Sequence, residues 1–363
     1  MAAFRVQGRV CVVTGGASGM GRALVVQLAA QGAHVACCDI NTEQLDETAR
    51  LARAANGSVR VSTHRVDVSD RARVEAFAGE VLAAHGGQVH VLFANAGLTV
   101  PGSLLHDASM SAADVAAYEA RWDRCFAVDY FGVLHCVRAF LPHIVQQDEG
   151  YIVNTASVNG FWTWPDHGAY TSAKFAVRGL TDSLLIECSV KAPHVRVASV
   201  MPGGVRTGIV RNSGYTGQGA GVVDKLFTGD GGLADLTAEE AAAWILDGVA
   251  AGKTRILVGY DALLLDCMSR FGGPHQSYAI FAALAREGVT NFDWSNLALT
   301  EKQIKNVSLL GWLRVALNGG AHLAFFMWPF ALLRLRRHPL AQAAGVVFAA
   351  ALLRKIFVRL AKK

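Results

Sequence analysis

From Arg9 onward, short runs of β-branched and apolar residues alternate with longer stretches in which apolar positions recur every three or four residues. The runs at 9–14, 34–39, 59–66, 89–94, 150–155, 195–200 and 255–258 predict strands. The stretches near 20–31, 42–55, 70–85, 118–146, 169–191 and 237–250 predict helices. Strand and helix alternating in this way is the signature of repeated βαβ units, so the fold class is α/β. It predicts a doubly wound parallel sheet of about seven strands with helices on both faces. Two stretches break the rhythm. One is 98–117; the other, 203–235, is Gly-rich and reads as a candidate lid over a substrate.

Composition refines this picture at the C-terminus. The 363 residues are 52% hydrophobic and 17% charged, which excludes a disordered chain. The formal charge of +5 is unevenly spread: residues 308–363 hold nine Lys or Arg and no Asp or Glu, leaving −4 on the first 307. The chain therefore divides into an acidic α/β body over 1–260, a helical and loop connection over 261–307, and an apolar, basic helical extension over 308–363. Seven scattered cysteines without a C-x-x-C pair read as buried thiols, with neither a disulfide framework nor a metal site. Met1–Gln7 lacks the apolar region of a secretory signal, so the expected location is cytoplasmic and reducing.

The first predicted strand runs into Thr14-Gly15-Gly16-Ala17-Ser18-Gly19-Met20-Gly21, and a helical pattern starts at once. Glycines at such a turn let the backbone approach a pyrophosphate, and the helix N-terminus offers N–H groups and a positive dipole end. The second strand ends at Asp39, 18 residues past Gly21, where an acid meets ribose hydroxyls and repels a 2′-phosphate. Neither Ser18 nor Ile40 supplies an Arg, so NAD is expected rather than NADP.

The spacing Gly15-x-x-x-Gly19-x-Gly21 resembles that of the short-chain dehydrogenase/reductase family. Asp67-Val68 after the third strand, Asn95-Ala96-Gly97 after the fourth, Ser157 after the fifth, Tyr170-Thr171-Ser172-Ala173-Lys174 and Pro202-Gly203 follow in family order. The resemblance covers residues 5 to about 260 and implies a Rossmann-like fold. It implies that Asp67 and Val68 meet the adenine, that Asn95, Ala96 and Gly97 line the cofactor, and that Pro202, Gly203, Val205 and Thr207 border the nicotinamide. It also implies pairing of long helices into a homodimer or homotetramer.

Tyr170 and Lys174 are four apart on a helix and share a face. An ammonium beside a phenol pulls its pKa down from about 10 toward working pH, where the phenol can exchange a proton with an alcohol or carbonyl oxygen. Ser157 is placed to hold that oxygen, and Lys174 also reads as a ribose contact. Asp129 stands where the family usually has Asn, a member of a proton relay by resemblance. Asn159, Phe161, Trp162, Trp164 and His167, between Ser157 and Tyr170, read as the wall of an apolar substrate pocket, with packing in a subunit contact as the alternative for the aromatics.

Together these features predict an NAD-dependent oxidoreductase that interconverts a hydrophobic alcohol, a secondary one in the leading reading, and its ketone or aldehyde. The different-class alternative is a catalytically silent NAD(H)-binding scaffold held at a membrane by its tail; the intact Ser157, Tyr170 and Lys174 argue against it. Apolar segments 309–333 and 339–353, each followed by Arg and Lys, suit an interfacial helical hairpin on anionic lipid, an oligomer contact or a span. Nucleic acid is excluded as a partner, because the basic excess lies within apolar segments.

Overall fold

The computed structural model describes residues 3–100, 104, 111–164, 166–209 and 236–272. Seven parallel strands form one sheet: β1 (Val10–Thr14), β2 (His34–Asp39), β3 (Val61–Arg65), β4 (Val91–Ala94), β5 (Gly150–Thr155), β6 (Val195–Pro202) and β9 (Arg255–Val258), in the order β3-β2-β1-β4-β5-β6-β9. All five residues of β1 and all six of β5 are buried, as continuous apolar runs covered on both faces must be. A second, two-residue parallel pair joins β7 (Val205–Arg206) to β8 (Leu236–Thr237).

The helices are α1 (Gly19–Ala30), α2 (Thr42–Ala55), α3 (Arg71–Ala84), α4 (Ala112–Phe126), α5 (Gly132–Ile144), α6 (Gly168–Lys191), α7 (Ala238–Ala250) and α8 (Tyr260–Gly272). One face of the sheet is closed by α1 and α7 over a core that includes Val13, Val35, Phe93, Val153, Leu24 and Ile245. On the other, Phe77 of α3 meets Phe140 of α5 edge-on, with ring centroids 5.4 Å apart. The combined helix 112–144 is long and apolar enough to cross a membrane, yet it buries Val133, Cys136, Val137 and Phe140 within this protein.

Strand order reverses between β1 and β4, the neighbours of which diverge to opposite edges of the sheet. The βα loops on the two sides separate there and leave a crevice at the carboxyl ends. The predicted strands match within two residues. One predicted boundary is corrected. The stretch read as irregular to 117 becomes helical at Ala112, because Ser111 and Asp114 form a capping box that satisfies the first-turn N–H groups. The predicted helical and loop connection opens with α8, which follows β9 after Gly259 at φ +106°.

Among the described residues, those up to Cys267 belong to one compact unit, and Met268–Gly272 begin a second. The extension over 308–363 and most of the candidate lid lie outside the described residues. All seven cysteines are free thiols, and only Cys267 is exposed.

Candidate active site

The turn after β1 is dictated by backbone geometry. Gly15 and Gly19 have φ of +69° and +52°, a region that side chains disfavour. A Cβ on Gly21 would lie 1.9 Å from the Gly15 carbonyl oxygen, and one on Gly19 would lie 3.2 Å from Thr207. Thr14 ties this turn to the end of β4: its hydroxyl accepts the N–H groups of Asn95 and Ala96, each at 3.0 Å, and its carbonyl accepts the Asn95 amide. A cavity of about 340 Å³ opens on the turn, lined by Gly15, Ser18, Gly19, Met20, Gly21, Asp39, Asp67, Val68, Asn95, Ala96, Gly97 and Thr207. The glycine cradle, the dipole end of α1 and a lining that runs from Asp39 and Asp67 to Thr207 fit a dinucleotide.

Asp39 takes a place that its spacing alone does not reveal. Its carboxylate accepts the N–H of Ala17 at 3.0 Å and of Asn41 at 3.1 Å, so it also fixes the Gly-rich turn. The nearby cation Arg22 is turned toward the Thr48 hydroxyl and the carbonyls of Ala17 and Gln44. Asp67 accepts from the Ser69 hydroxyl at 2.7 Å and from the Arg124 guanidinium at 2.9 Å. Burial alone would raise the Asp67 pKa, but Ser69 and Arg124 outweigh it and hold the carboxyl below its ordinary value. Arg124 itself lines the cavity with Val128, one helical turn on. Sequence reasoning missed Arg124, Ile40, Asn41, Gln44 and Leu98.

Pro202, Gly203 and Val205 do not line this cavity. Val205 is core, Gly203 donates to the Val258 carbonyl, and the Gly204 N–H donates to Asp261 at 2.7 Å. Through these bonds α8 and β9 anchor the segment that carries Thr207 over Gly19.

Immediately behind Gly97 lies the chemical group. A Cβ there would stand 3.3 Å from both Lys174 Nζ and Asp129 Oδ2. Five π-helical residues, Ala127–Phe131, join α4 to α5 and place Asp129 at their centre, an insertion of the kind found at functional sites. Asp129 Oδ1 accepts the Leu98 N–H at 2.8 Å, and Oδ2 faces Lys174 Nζ at 3.0 Å, with side-chain exposures of 0% and 3%. Lys174 also donates to the Thr155 carbonyl at 3.1 Å. Tyr170 shares a hydrogen bond with Ser157, and Lys174 Nζ stands 5.5 Å from its ring centroid. Ser157 Oγ accepts the Asn159 N–H at 3.2 Å, which orients the hydroxyl at the end of β5.

The electrostatics differ from the simple Tyr-Lys expectation. Burial pushes the Tyr170 phenol above its ordinary value; Lys174 lowers it, Asp129 raises it, and Ser157 lowers it, with the balance upward. Burial opposes the Lys174 charge, but Asp129 reverses that and keeps the ammonium above its ordinary value.

The predicted pocket residues are only partly brought together. Asn159 donates to Thr171 at 3.1 Å, and Trp162 meets Trp164 with centroids 6.3 Å apart. Phe161 is buried under the Arg255 guanidinium, 5.1 Å from its centroid, and is a packing residue there. His167 is partly buried at the start of α6. None of these five lines either described cavity. Leu98, Trp122, Phe126 and Tyr130 instead pack with Tyr170 around Val100, Cys125, Ala169 and Ala173.

A short chain dehydrogenase family model matches residues 9–216. The chain belongs to the short-chain dehydrogenase family. SadH of Mycobacterium tuberculosis, named as an oxidoreductase, is 37% identical over 281 residues, 77% of this chain and 96% of that protein. Among solved structures, a short-chain dehydrogenase/reductase of Burkholderia phymatum in complex with NAD superposes with TM-score 0.64 and 31% identity. The match covers 74% of this chain and 94% of that one. An alcohol dehydrogenase of Thermococcus sibiricus complexed with 5-hydroxy-NADP matches with TM-score 0.53 and 27% identity, covering 66% and 90%. Family membership agrees with the doubly wound sheet and with the crevice at its reversal point.

Proposed function

We propose that this short-chain dehydrogenase is an NAD-linked enzyme that interconverts a hydrophobic secondary alcohol with its ketone, or an alcohol with its aldehyde. The observation that carries this reading is Lys174 lying directly behind Gly97 of the glycine-lined cavity, with Tyr170 on the same helix four residues before it and hydrogen-bonded to Ser157. The nicotinamide, when bound, supplies or accepts the hydride. Tyr170 exchanges the proton on the substrate oxygen, Ser157 holds that oxygen, and Lys174 fixes the charge beside the phenol and reaches the ribose.

The choice of NAD is supported by the Asp39 carboxylate at the cavity wall and by uncharged Ser18, Ile40 and Asn41 around it. The packed apolar side chains beside Tyr170 support a hydrophobic substrate. On sequence alone, the apolar, basic segment 308–363 supports a cytoplasmic membrane surface as the place where such a substrate is met, and the family resemblance supports a homodimer or homotetramer. The test is cofactor-linked absorbance with sterols, retinoids and long-chain alcohols, run with NAD and with NADP. Tyr170→Phe should lower turnover by about 10²–10⁴-fold while cofactor binding persists. Turnover that survives in Tyr170→Phe refutes the assignment, and cofactor binding without turnover on any substrate favours the scaffold.

A further inference from the structure

Position 129 carries a carboxylate where the family resemblance implies an amide. The carboxylate is wholly buried, one of its oxygens accepts the Leu98 N–H, and the other lies 3.0 Å from the Lys174 ammonium as an ion pair. We propose that Asp129 is a positioning residue that neutralises Lys174, so that Tyr170 rests as a protonated donor to a carbonyl oxygen and the site is set for ketone reduction at neutral pH. This inference rests on the assignment of Tyr170 as the proton-exchanging group.

The argument is one of net charge. A lone ammonium beside a phenol stabilises the phenolate with an interaction that falls as the inverse of distance. An ammonium closed against a carboxylate presents only a dipole, the field of which falls faster. Whether the shared proton sits on Nζ or on Oδ2, the pair carries no net charge, so the conclusion does not depend on how the two groups divide it. The other groups facing the phenol do not restore a positive field. Cys125 of α4 is held as a neutral thiol, because burial pushes its pKa far up, and Ser157 at the end of β5 is neutral. Geometry also fixes the ammonium. Asp129 and the Thr155 carbonyl take two of its donors and hold it in place, leaving a third for the ribose.

Asp129→Asn keeps an acceptor for the Leu98 N–H and removes the counter-charge. The primary readout is tyrosinate absorbance of the full chain against pH, with the same titration of Tyr170→Phe subtracted to isolate Tyr170. In the native protein Tyr170 should titrate no lower than an ordinary tyrosine, about 10. In Asp129→Asn that titration should fall by about one unit or more, which raises the phenolate fraction at pH 7 about tenfold. Alcohol oxidation should then reach its plateau at correspondingly lower pH, while circular dichroism stays unchanged. A smaller uncharged variant, Asp129→Ser, should move the titration in the same direction. An unmoved titration in either folded variant overturns the proposal. If neither folds, the native titration decides, and a value well below that of ordinary tyrosine overturns it. Activity in Tyr170→Phe sinks the underlying assignment instead, so the two failures are distinguishable.

Discussion

The two halves of the crevice handle carboxylates in opposite ways. At the nucleotide end, Asp39 and Asp67 stand at the cavity wall, bonded to backbone N–H groups, a Ser hydroxyl and the partly exposed Arg124. At the chemical end, Asp129 and Lys174 face each other out of contact with water. The first half is a backbone device: its shape depends on glycines that no side chain can replace, and its charges are screened. The second is a charge device, in which removing either partner leaves the other buried. Placing a dinucleotide takes shape, whereas setting a proton takes a fixed local field.

The sharpest way to break this comparison is to remove the cation from each pair. Lys174→Met leaves Asp129 buried without its partner and should cost about 3–5 kcal/mol of stability, read as a lower urea midpoint. Arg124→Met removes the partner of Asp67, whose side chain is 38% exposed, and should cost no more than about 1 kcal/mol. Similar losses in the two variants would mean that the halves are not distinct. The next effect is on shape: Gly21→Ala should abolish measurable cofactor binding by calorimetry, because its Cβ would fall 1.9 Å from Gly15 O. Retained binding would show that the turn can yield. The smallest expected effect is Ser111→Ala, which removes a capping box at the start of α4 and should cost about 1 kcal/mol in thermal unfolding, with cofactor affinity unaltered.

The legibility of the molecule follows the same division. The strands and the Gly-rich turn were readable because their signals are local: period, run length and glycine spacing. Asp39 was readable as a lining residue from its spacing past Gly21, whereas Asp67 and Asn95 were readable through the family resemblance. Arg124 was not, because it reaches Asp67 across 57 positions of chain. Phe161 looked like a pocket wall from its place between Ser157 and Tyr170, yet packing put it under Arg255. The start of α4 was missed for a lesser reason, a capping box read as loop.

The sequence by itself determined the α/β fold, much of the glycine-lined turn and the presence of a Ser, a Tyr and a Lys in the order that chemistry needs, and its motifs pointed to the family. The fold and the turn follow from local period and glycine spacing, the rest from the order of motifs along the chain. Only the tertiary structure decided the direction in which the Tyr170 phenol is shifted. The sequence showed a Lys four residues away and implied a lowered pKa. Folding packed the half-buried Tyr170 ring among apolar neighbours and closed Asp129, 45 residues from Lys174, against the ammonium. Burial and Coulomb interactions depend on distance in space and on excluded water, and neither is a property of spacing in the chain.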